Sequence, residues 1–458
     1  MGSVLVNTAQ VAVPPANAVT QPGTSSLTID DALGRAKKLY TQRLPKSKAQ
    51  HESATEFLPG GNTRSVLHTD PFPICMKRGL GNRLWDLDDH EYVDLVGELT
   101  AGLYGHSHPL LRQALVSTYD EYGISLGASN TQEVALARLI CQRFPSIQQV
   151  RFCNSGTEAN LYALSVARQV TGKRKIIAFK GGYHGGVLSF GHGIANNTVD
   201  REDWVLGTFN DAEEARKLIA WTPGAAAVIV EAMQGAGGCI PATAEFLKAI
   251  QDTAKECGVL FILDEVMTSR LHPNGLQGMH SLDPDLTTLG KYMGGGLAFG
   301  AFGGKREHLS VYDPRRASSL PHSGTFNNNT LAMACGTVGL SQIYTPQVAE
   351  RHNALGDHFR TSLQDVAKGT KMVITGIGAV LTIHFLHDGL PPTCEADLDA
   401  QSVHDLKTLF WHWCLSAGFW ITQRGMLSIV LGTTAEELGQ FVETVRLFCN
   451  EYTHLLTL

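Results

Sequence analysis

A lysine and an acid each follow an apolar segment that has the composition of a buried strand. Asp264 ends the run Val259-Leu-Phe-Ile-Leu, and Lys291 lies 27 residues later, where Leu286-Thr-Thr-Leu-Gly meets a glycine stretch. A buried lysine forms a Schiff base with an aldehyde, and a buried carboxylate keeps a pyridine nitrogen protonated, so that the ring accepts electrons. The pair predicts a pyridoxal 5'-phosphate (PLP) site with Lys291 and Asp264 as catalytic residues. The spacing disfavours a surface lysine, and the lack of a neighbouring histidine disfavours a metal site.

Small polar residues lie between a predicted strand and a predicted helix at Asn154-Ser155-Gly156-Thr157. The first N–H groups of a helix have no partner within it and lie at its positive end, where they bind phosphate readily. Helix capping by Asn154 or Ser155 is the simpler alternative. The nearby PLP motif favours a phosphate site formed by Ser155, Gly156 and Thr157. Thr325, in a loop before a long predicted helix, could reach a phosphate in its own chain or in a partner, and a polar helix-entry turn is equally compatible.

Three further side chains are expected beside the cofactor ring. Tyr183 follows a predicted strand, and an exposed ring at the carboxyl end of a parallel sheet could stack on a planar ligand. Glu231 ends another apolar run, where a carboxylate faces either a site or an ion-pair partner. Val266 returns to the face of Asp264 and could pack beneath the ring. For His184, next to Tyr183, a structural role is expected rather than proton transfer.

Two arginines are candidates for binding substrate carboxylates. Arg64 lies in Gly61-Asn-Thr-Arg-Ser-Val-Leu and Arg424 in Ile421-Thr-Gln-Arg-Gly, both outside the predicted sheet and among glycine or polar residues. A guanidinium binds a carboxylate through two parallel hydrogen bonds. A solvated surface arginine is the alternative for either position.

Apolar strands and amphipathic helices alternate from about residue 108 onwards. This order predicts an α/β fold, with a mostly parallel central sheet and helices on both of its faces. Residues 298–303 are expected to add an antiparallel strand next to the strand before Lys291. Predicted strands lie at 149–153, 175–179, 225–231, 258–266 and 286–289, and predicted helices at 28–57, 108–121, 131–143, 157–171, 211–221, 244–256 and 329–344.

The order of elements divides the chain into four predicted parts. Residues 1–27 form a flexible tail, residues 28–75 pack with a small domain, residues 76–345 form a large PLP-binding domain, and residues 346–458 form a small C-terminal α/β domain. The tail contains no Lys or Arg, which argues against a secretory signal and a mitochondrial transit peptide. A cytoplasmic location is therefore expected.

Composition disfavours several other classes of protein. A net charge of −6 and the lack of a basic tract argue against a nucleic-acid partner. No apolar run approaches the ~18 residues that a membrane-spanning helix needs. The nine cysteines are scattered and contain no CxxC pair, so neither a zinc site nor a disulfide framework is expected.

Taken together, these motifs resemble the class III aminotransferases of PLP fold type I, from about residue 50 to the end of the chain. Within this family, the similarity is strongest to the β-amino acid (β-phenylalanine) aminotransferase subgroup. The motifs that carry it are long: Arg64-Ser-Val-Leu, Glu98-Leu-Thr-Ala-Gly-Leu-Tyr-Gly-His, Arg151-Phe-Cys-Asn-Ser-Gly-Thr-Glu-Ala-Asn, Asp264-Glu-Val-Met-Thr-Ser-Arg, Leu289-Gly-Lys-Tyr and His322-Ser-Gly-Thr-Phe-Asn-Asn-Asn.

The resemblance implies a PLP-dependent transaminase that works by a ping-pong mechanism as a homodimer with shared active sites. The amino group would pass from a β-amino acid, aromatic or aliphatic, or a related amine to a keto acid such as 2-oxoglutarate or pyruvate. Thr325 would come from the other subunit, and Arg64 and Arg424 would bind the substrate carboxylates in an assignment that stays open. The cofactor would be held by Lys291 as Schiff base, Asp264 on the pyridine nitrogen, Tyr183 on the ring, and Ser155, Gly156 and Thr157 on the phosphate.

Three alternatives share the cofactor motifs. Glutamate-1-semialdehyde 2,1-aminomutases usually have Asn-Ser-Pro-Val-Arg after the Pro-Gly-Gly turn, whereas this chain has Asn62-Thr-Arg-Ser-Val, which counts against an isomerase. An amine (omega) transaminase without a carboxylate requirement is the second alternative. The third is a catalytically idle PLP-binding protein, which the intact Lys291 and Asp264 disfavour.

Overall fold

The computed structural model describes residues 27–191 and 193–458. The tail predicted at 1–27 therefore lies outside the described residues, except for Leu27. None of the helices in the described part of the chain combines the length and the apolar character needed to cross a bilayer. All nine cysteines lie in the described part and are free thiols.

Strands and helices alternate through the middle of the chain. The strands are β1 (Met76–Leu80), β2 (Arg83–Asp86), β3 (Glu91–Asp94), β4 (Gln149–Cys153), β5 (Lys175–Phe179), β6 (Trp204–Gly207), β7 (Ala225–Glu231), β8 (Met233–Gln234), β9 (Ile240–Pro241), β10 (Leu260–Asp264), β11 (Leu286–Gly290), β12 (Gly300–Gly304), β13 (Met372–Ile377), β14 (Val380–Phe385), β15 (Phe419–Trp420) and β16 (Met426–Ser428). The helices are α1 (Ile29–Arg43), α2 (Pro45–Thr55), α3 (Pro109–Tyr122), α4 (Thr131–Arg143), α5 (Gly156–Thr171), α6 (Ala212–Trp221), α7 (Ala244–Cys257), α8 (Gly275–Met279), α9 (Arg306–Leu309), α10 (Thr330–Val338), α11 (Pro346–Ala367), α12 (Glu395–Gln401), α13 (His404–Ser416), α14 (Ala435–Glu451) and α15 (Thr453–Leu456).

The largest sheet within the described residues has seven strands, in the order β4-β12-β11-β10-β7-β5-β6. The pairs β11-β10, β10-β7, β7-β5 and β5-β6 are parallel. Only β12 runs against its neighbours β11 and β4, so the antiparallel strand predicted beside the strand before Lys291 is confirmed. The carboxyl ends of the parallel strands consequently meet at one edge.

Side chains that alternate along the central strands cover both faces of the sheet. In β10, Leu260 and Ile262 pack in one apolar cluster with the inner side of α5, whereas Phe261 and Leu263 pack in another with α7. Alternation follows from the period of two in a strand, and a continuous apolar run lets both faces be buried. The predicted mostly parallel sheet with helices on both faces is confirmed.

The prediction of one helix at 28–57 is wrong, because this segment forms two helices, α1 and α2. α1 begins after Thr28, whose hydroxyl accepts a hydrogen bond from the Asp31 N–H. It ends at Arg43; the following residue, Leu44, has φ −123° and ψ 48°, and Pro45 starts α2. Proline has no N–H to donate and its ring disfavours helical geometry at the preceding residue, so the break at this point follows from the sequence.

The N-terminal helix packs against the C-terminal part of the chain. Tyr40 of α1 lies 5.6 Å from the ring of Trp411 on α13, and its hydroxyl donates to the carbonyl of Phe72. The sheets β1-β2-β3-β15 and β13-β14-β16 complete this region. The boundaries of the two predicted domains stay a prediction.

Candidate active site

Two acids and a lysine meet at the carboxyl edge of the central sheet. Glu231 ends β7 and Asp264 ends β10, and the parallel register pairs these two residues. β11 lies on the other side of β10, and Lys291 follows its last residue. The structure therefore brings together the three strand-end residues that the sequence separates by up to 60 positions.

Asp264 is a buried carboxylate with a full set of partners. Its Oδ2 accepts hydrogen bonds from Asn160 Nδ2 (2.8 Å) and His184 Nδ1 (2.8 Å), and its Oδ1 accepts one from the N–H of Val266 (3.0 Å). Burial alone would lower the pKa of His184, but the hydrogen bond and the charge of Asp264 raise it above the usual value. His184 therefore holds the acid in place, and its purely structural role stays a prediction.

Glu231 anchors the loop that carries Tyr183. Its Oε1 accepts from the N–H of Tyr183 (2.9 Å) and its Oε2 from the N–H of Gly235 (3.0 Å). Burial raises the pKa of Glu231 to about 7. The charge of His184 lowers this pKa, and the charge of Asp264 raises it. Tyr183 itself is 45% exposed, which leaves its ring available to contact a planar ligand.

Lys291 and Leu99, the residue that accepts its hydrogen bond, both have left-handed backbone conformations. Lys291 has a φ of 56°, and its Nζ donates to the carbonyl oxygen of Leu99 at 2.6 Å. Leu99 lies in the segment 97–100, in which every residue has a positive φ, between 47° and 80°. Such conformations cost free energy in non-glycine residues and are concentrated at functional sites. Burial, and then the charge of Arg424, lower the pKa of Lys291 to about 8.

The start of α5 forms a cradle for an anion. Ser155 caps the helix by accepting from the N–H of Glu158 (3.1 Å), and the Thr157 hydroxyl accepts from the N–H of Gly186 (3.2 Å). A Cβ atom at Gly156 would lie 2.7 Å from Cγ1 of Val266, so only glycine lets α5 begin this close to the segment after β10. The helix has 16 residues, and the N–H groups of its first turn are directed out of its N-terminal end, where an anion can accept hydrogen bonds from them.

Thr325 is not part of this cradle within one chain. It is exposed, on a loop that receives a hydrogen bond from the Tyr162 hydroxyl to the carbonyl of Ser323 (3.2 Å). Asn154 also bonds this loop through Asn327 (3.0 Å). The loop is therefore fixed beside α5 with the Thr325 side chain open to an external partner.

The two predicted arginines line two different cavities. Arg424 and Tyr183 line one of about 320 Å³. Arg64, Leu99 and Glu98 line another of about 490 Å³. Both cavities adjoin the sheet edge that carries Lys291. Leu99, which lines the Arg64 cavity, accepts a hydrogen bond from Lys291, and Tyr183, which lines the Arg424 cavity, donates its N–H to Glu231.

The arginines differ in their present partners. Arg64 forms an ion pair with Glu98 at the exposed mouth of its cavity. Arg424 donates from Nη2 to the sulfur of Met426 (3.2 Å), and its buried Nε has no partner among residues 27–191 and 193–458. Burial lowers the pKa of Arg424.

The chemistry of these donors fits PLP. The amine of Lys291 matches its aldehyde, the Asp264 carboxylate its ring nitrogen, and the start of α5 its phosphate. Val266, packed between Gly156 and Gly290, offers an apolar surface next to the same place. The residues predicted for the cofactor, Thr325 excepted, are thus gathered by one chain at one sheet edge.

Sequence reasoning missed residues that act on the predicted ones. Asn160 donates to Asp264 and accepts from the Thr288 hydroxyl (2.8 Å). The sequence signal for Asn160 is its place as the fifth residue of α5, on the buried face of the helix. The Glu98 ion pair and the Leu99 carbonyl have no comparable local signal, because both depend on the backbone of a left-handed turn.

Comparison with known proteins agrees with this geometry. Residues 65–431 match the model of the family "Aminotransferase class-III". The chain is 44% identical to the beta-phenylalanine transaminase of Variovorax paradoxus over 93% of its own length and 98% of that protein's. A crystal structure of a beta-phenylalanine aminotransferase from the same organism superposes with a TM-score of 0.91, covering 94% of this chain and 99% of that one, at 43% identity.

Two further relatives support the same assignment. An uncharacterized aminotransferase of Schizosaccharomyces pombe is 50% identical over 90% of this chain and 94% of its own. The structure of an omega-transaminase from Sphaerobacter thermophilus superposes with a TM-score of 0.82 at 30% identity, covering 88% and 97% of the two chains. The fold is that of the PLP-dependent transferases of fold type I, and PLP is the cofactor. The chain belongs to the class III aminotransferases and is a PLP-dependent transaminase.

Proposed function

We propose that this transaminase takes its amino group from a β-amino acid, aromatic or aliphatic, and passes it by a ping-pong cycle to a keto acid such as 2-oxoglutarate or pyruvate. The observation that carries the proposal is the pair of cavities that adjoin the sheet edge of Lys291, each with its own arginine, Arg64 or Arg424. Donor and acceptor bind in turn, and each brings a carboxylate to a different distance from the reacting carbon. Two arginines at different positions can bind the carboxylates of both substrates. The 44% identity to a beta-phenylalanine transaminase supports this choice.

In this proposal Lys291 carries the proton during the reaction. When bound, PLP supplies an electron sink for the pair released as the C–H bond of the amine-bearing carbon breaks. A pKa of about 8 leaves a useful fraction of Lys291 as the neutral amine near neutral pH, which is the form that accepts a proton. The Leu99 carbonyl orients this amine by accepting a hydrogen bond from it.

The remaining predicted residues position the cofactor. Asp264, held by His184 and Asn160, would keep a proton on the ring nitrogen. Tyr183 would stack on the ring, and Glu231 fixes Tyr183 by accepting a hydrogen bond from its backbone N–H. Val266 would pack against the ring, and Ser155, Gly156 and Thr157 would hold the phosphate.

We also propose a homodimer in which the Thr325 loop completes the partner's phosphate site. Apolar side chains are exposed near this loop, and a second copy of the chain would bury them. The loop is joined to that surface, since Asn328 Nδ2 donates to the carbonyl of Ala128 (3.0 Å). We call this surface the apolar face, formed by Val116, Tyr119, Tyr122, Ile124, Leu126, Val134 and Phe326. The cytoplasmic location expected from the sequence stays a prediction.

A donor screen tests the proposed reaction. PLP-loaded protein is incubated with 2-oxoglutarate or pyruvate and either a β-amino acid or an aryl amine that lacks a carboxylate, and glutamate or alanine is quantified. We expect product from the β-amino acids and at least about tenfold less from the amines, because a lost charge-assisted hydrogen bond costs about 1.5–3 kcal/mol. Equal rates with both donors would indicate an amine transaminase. Conversion of a semialdehyde without any acceptor would indicate the isomerase.

A further inference from the structure

The cavity of Arg424 contains a second cation. Lys407, in the first turn of α13, lines the same cavity of about 320 Å³. Its side chain is partly buried, and its Nζ has no hydrogen-bond or ion-pair partner in the described part of the chain. Nothing in the motifs around Lys291 or Asp264 accounts for a lysine at this place.

The other titratable groups of the cavity do not neutralise Lys407. Burial, and then the charge of Arg424, lower its pKa to about 8. His384 lines the cavity as a neutral imidazole, because burial and then the charge of Lys407 lower its pKa to about 3. Of the two acids that line the cavity, Asp399 is exposed on α12, and the carboxylate of Glu395 lies beside Gly191.

Two partly buried cations that line one cavity are unfavourable without a counter-ion. The buried Nε of Arg424, which has no partner among the residues described, adds an unused donor at the same place. An anionic ligand would supply both the missing charge and the missing acceptor. The cavity also adjoins the sheet edge of the reacting centre, since Tyr183 and Gly235, which line it, donate their N–H groups to Glu231.

We propose that Lys407 and Arg424 together bind the second carboxylate of the keto acid, the one farther from its carbonyl carbon, so that Lys407 selects dicarboxylate acceptors over monocarboxylate ones. This inference rests on the proposed function, because it uses Arg424 as one of the two separate carboxylate anchors. A site built around paired charges discriminates strongly against a ligand that lacks the matching group. The preference for 2-oxoglutarate over pyruvate therefore depends on Lys407.

Calorimetry with unreactive ligands tests this assignment. Glutarate is titrated into PLP-loaded wild type, Lys407→Gln and Lys407→Arg, with butyrate as the monocarboxylate. We expect Lys407→Gln to raise the Kd for glutarate by about tenfold or more, because one charged hydrogen bond is lost. The Kd for butyrate should rise by less than about threefold. Lys407→Arg restores glutarate binding, because it restores the charge. Lys248→Gln, which removes an exposed lysine paired with Asp252, is the matched control and leaves both ligands unchanged.

Acceptor kinetics give a second readout. In Lys407→Gln we expect the KM for 2-oxoglutarate to rise about tenfold with kcat nearly unchanged, while the KM for pyruvate changes little. Equal weakening of both acceptors, or unchanged glutarate affinity in a variant with wild-type thermal stability, would overturn the assignment. The calorimetry uses no amine donor. A failed donor screen would therefore reject the β-amino acid reaction without changing the glutarate result.

Discussion

Nζ of Lys291 donates a 2.6 Å hydrogen bond to the carbonyl oxygen of Leu99, the residue directly after the acid that pairs with Arg64. Leu99 and Glu98 both have positive φ values, so the left-handed turn fixes their relative directions. The Leu99 carbonyl contacts Lys291, and the Glu98 side chain contacts Arg64. The turn therefore links the position of the lysine to that of Arg64. A carboxylate that binds at Arg64, as proposed, therefore competes with Glu98, one residue away from the atom that orients the amine.

The first prediction concerns this displacement. Glu98→Gln removes the competing carboxylate but keeps the size of the side chain, so the KM of a β-amino acid should fall by about two- to fivefold, the range expected for an exposed ion pair. Arg64→Gln should raise the same KM by about tenfold or more. Steady-state kinetics with one β-amino acid and one carboxylate-free amine check both variants, and the amine should respond to neither. An increased KM for the β-amino acid in Glu98→Gln would contradict competition.

The turn also shows where sequence reasoning stops. Asp264 and Lys291 could be found because apolar strands end before them, and parallel strands bring such ends together. No composition signal marks three successive non-glycine residues with positive φ, and the Glu98–Arg64 pair joins residues 34 positions apart. Lys407 was missed for a related reason. A lysine near the start of an amphipathic helix is normally solvated, and only the packing of α13 against the Arg424 cavity distinguishes it.

The second prediction follows from the pKa of Lys291. In the apoprotein its folded-state pKa is about 8, below the ordinary value of 10.5. Below about pH 8 the lysine is protonated in both states, and the cost of burying its charge is fully present. Between about pH 8 and 10.5 the unfolded chain binds more protons than the folded chain, so stability rises with pH.

Urea unfolding of apoprotein and of Lys291→Met at several pH values measures this contribution. The variant should be the more stable protein near neutral pH, and its advantage should shrink by on the order of 1–3 kcal/mol as the pH approaches 10. Other titrating groups, Lys407 included, cancel in the difference between the two proteins. A difference that stays constant with pH would show that the Lys291 amine does not titrate in this range.

The third prediction separates the charge of Asp264 from its shape. Asn in place of Asp264 can still accept hydrogen bonds from His184 and Asn160 through its amide oxygen, so the fold should persist. The lost negative charge should reduce kcat/KM by about 100- to 1000-fold, the range seen when one preorganised electrostatic partner is removed. Thermal unfolding serves as the control for folding. A loss below about tenfold, with unchanged PLP affinity, would mean that Asp264 does not hold the ring nitrogen.

The last prediction concerns Thr325 and the partner subunit. Thr325→Ala should weaken PLP binding by about tenfold, because one hydroxyl contact to a charged phosphate is lost. Lys291→Ala should abolish turnover. Differently tagged copies of the two variants are mixed, and the mixed dimers are purified and assayed at limiting PLP.

If each subunit lends Thr325 to its neighbour, both defects fall on one site of the mixed dimer, and the other site is wild type. Turnover at limiting PLP should then recover to about half the wild-type value per dimer, a consequence of the symmetric exchange of one loop across a two-fold interface. If Thr325 serves its own chain, each site keeps one defect, and the PLP affinity of the active site stays at the Thr325→Ala level. Phe326→Asp, which places a charge on the apolar face, should prevent recovery by keeping the subunits apart.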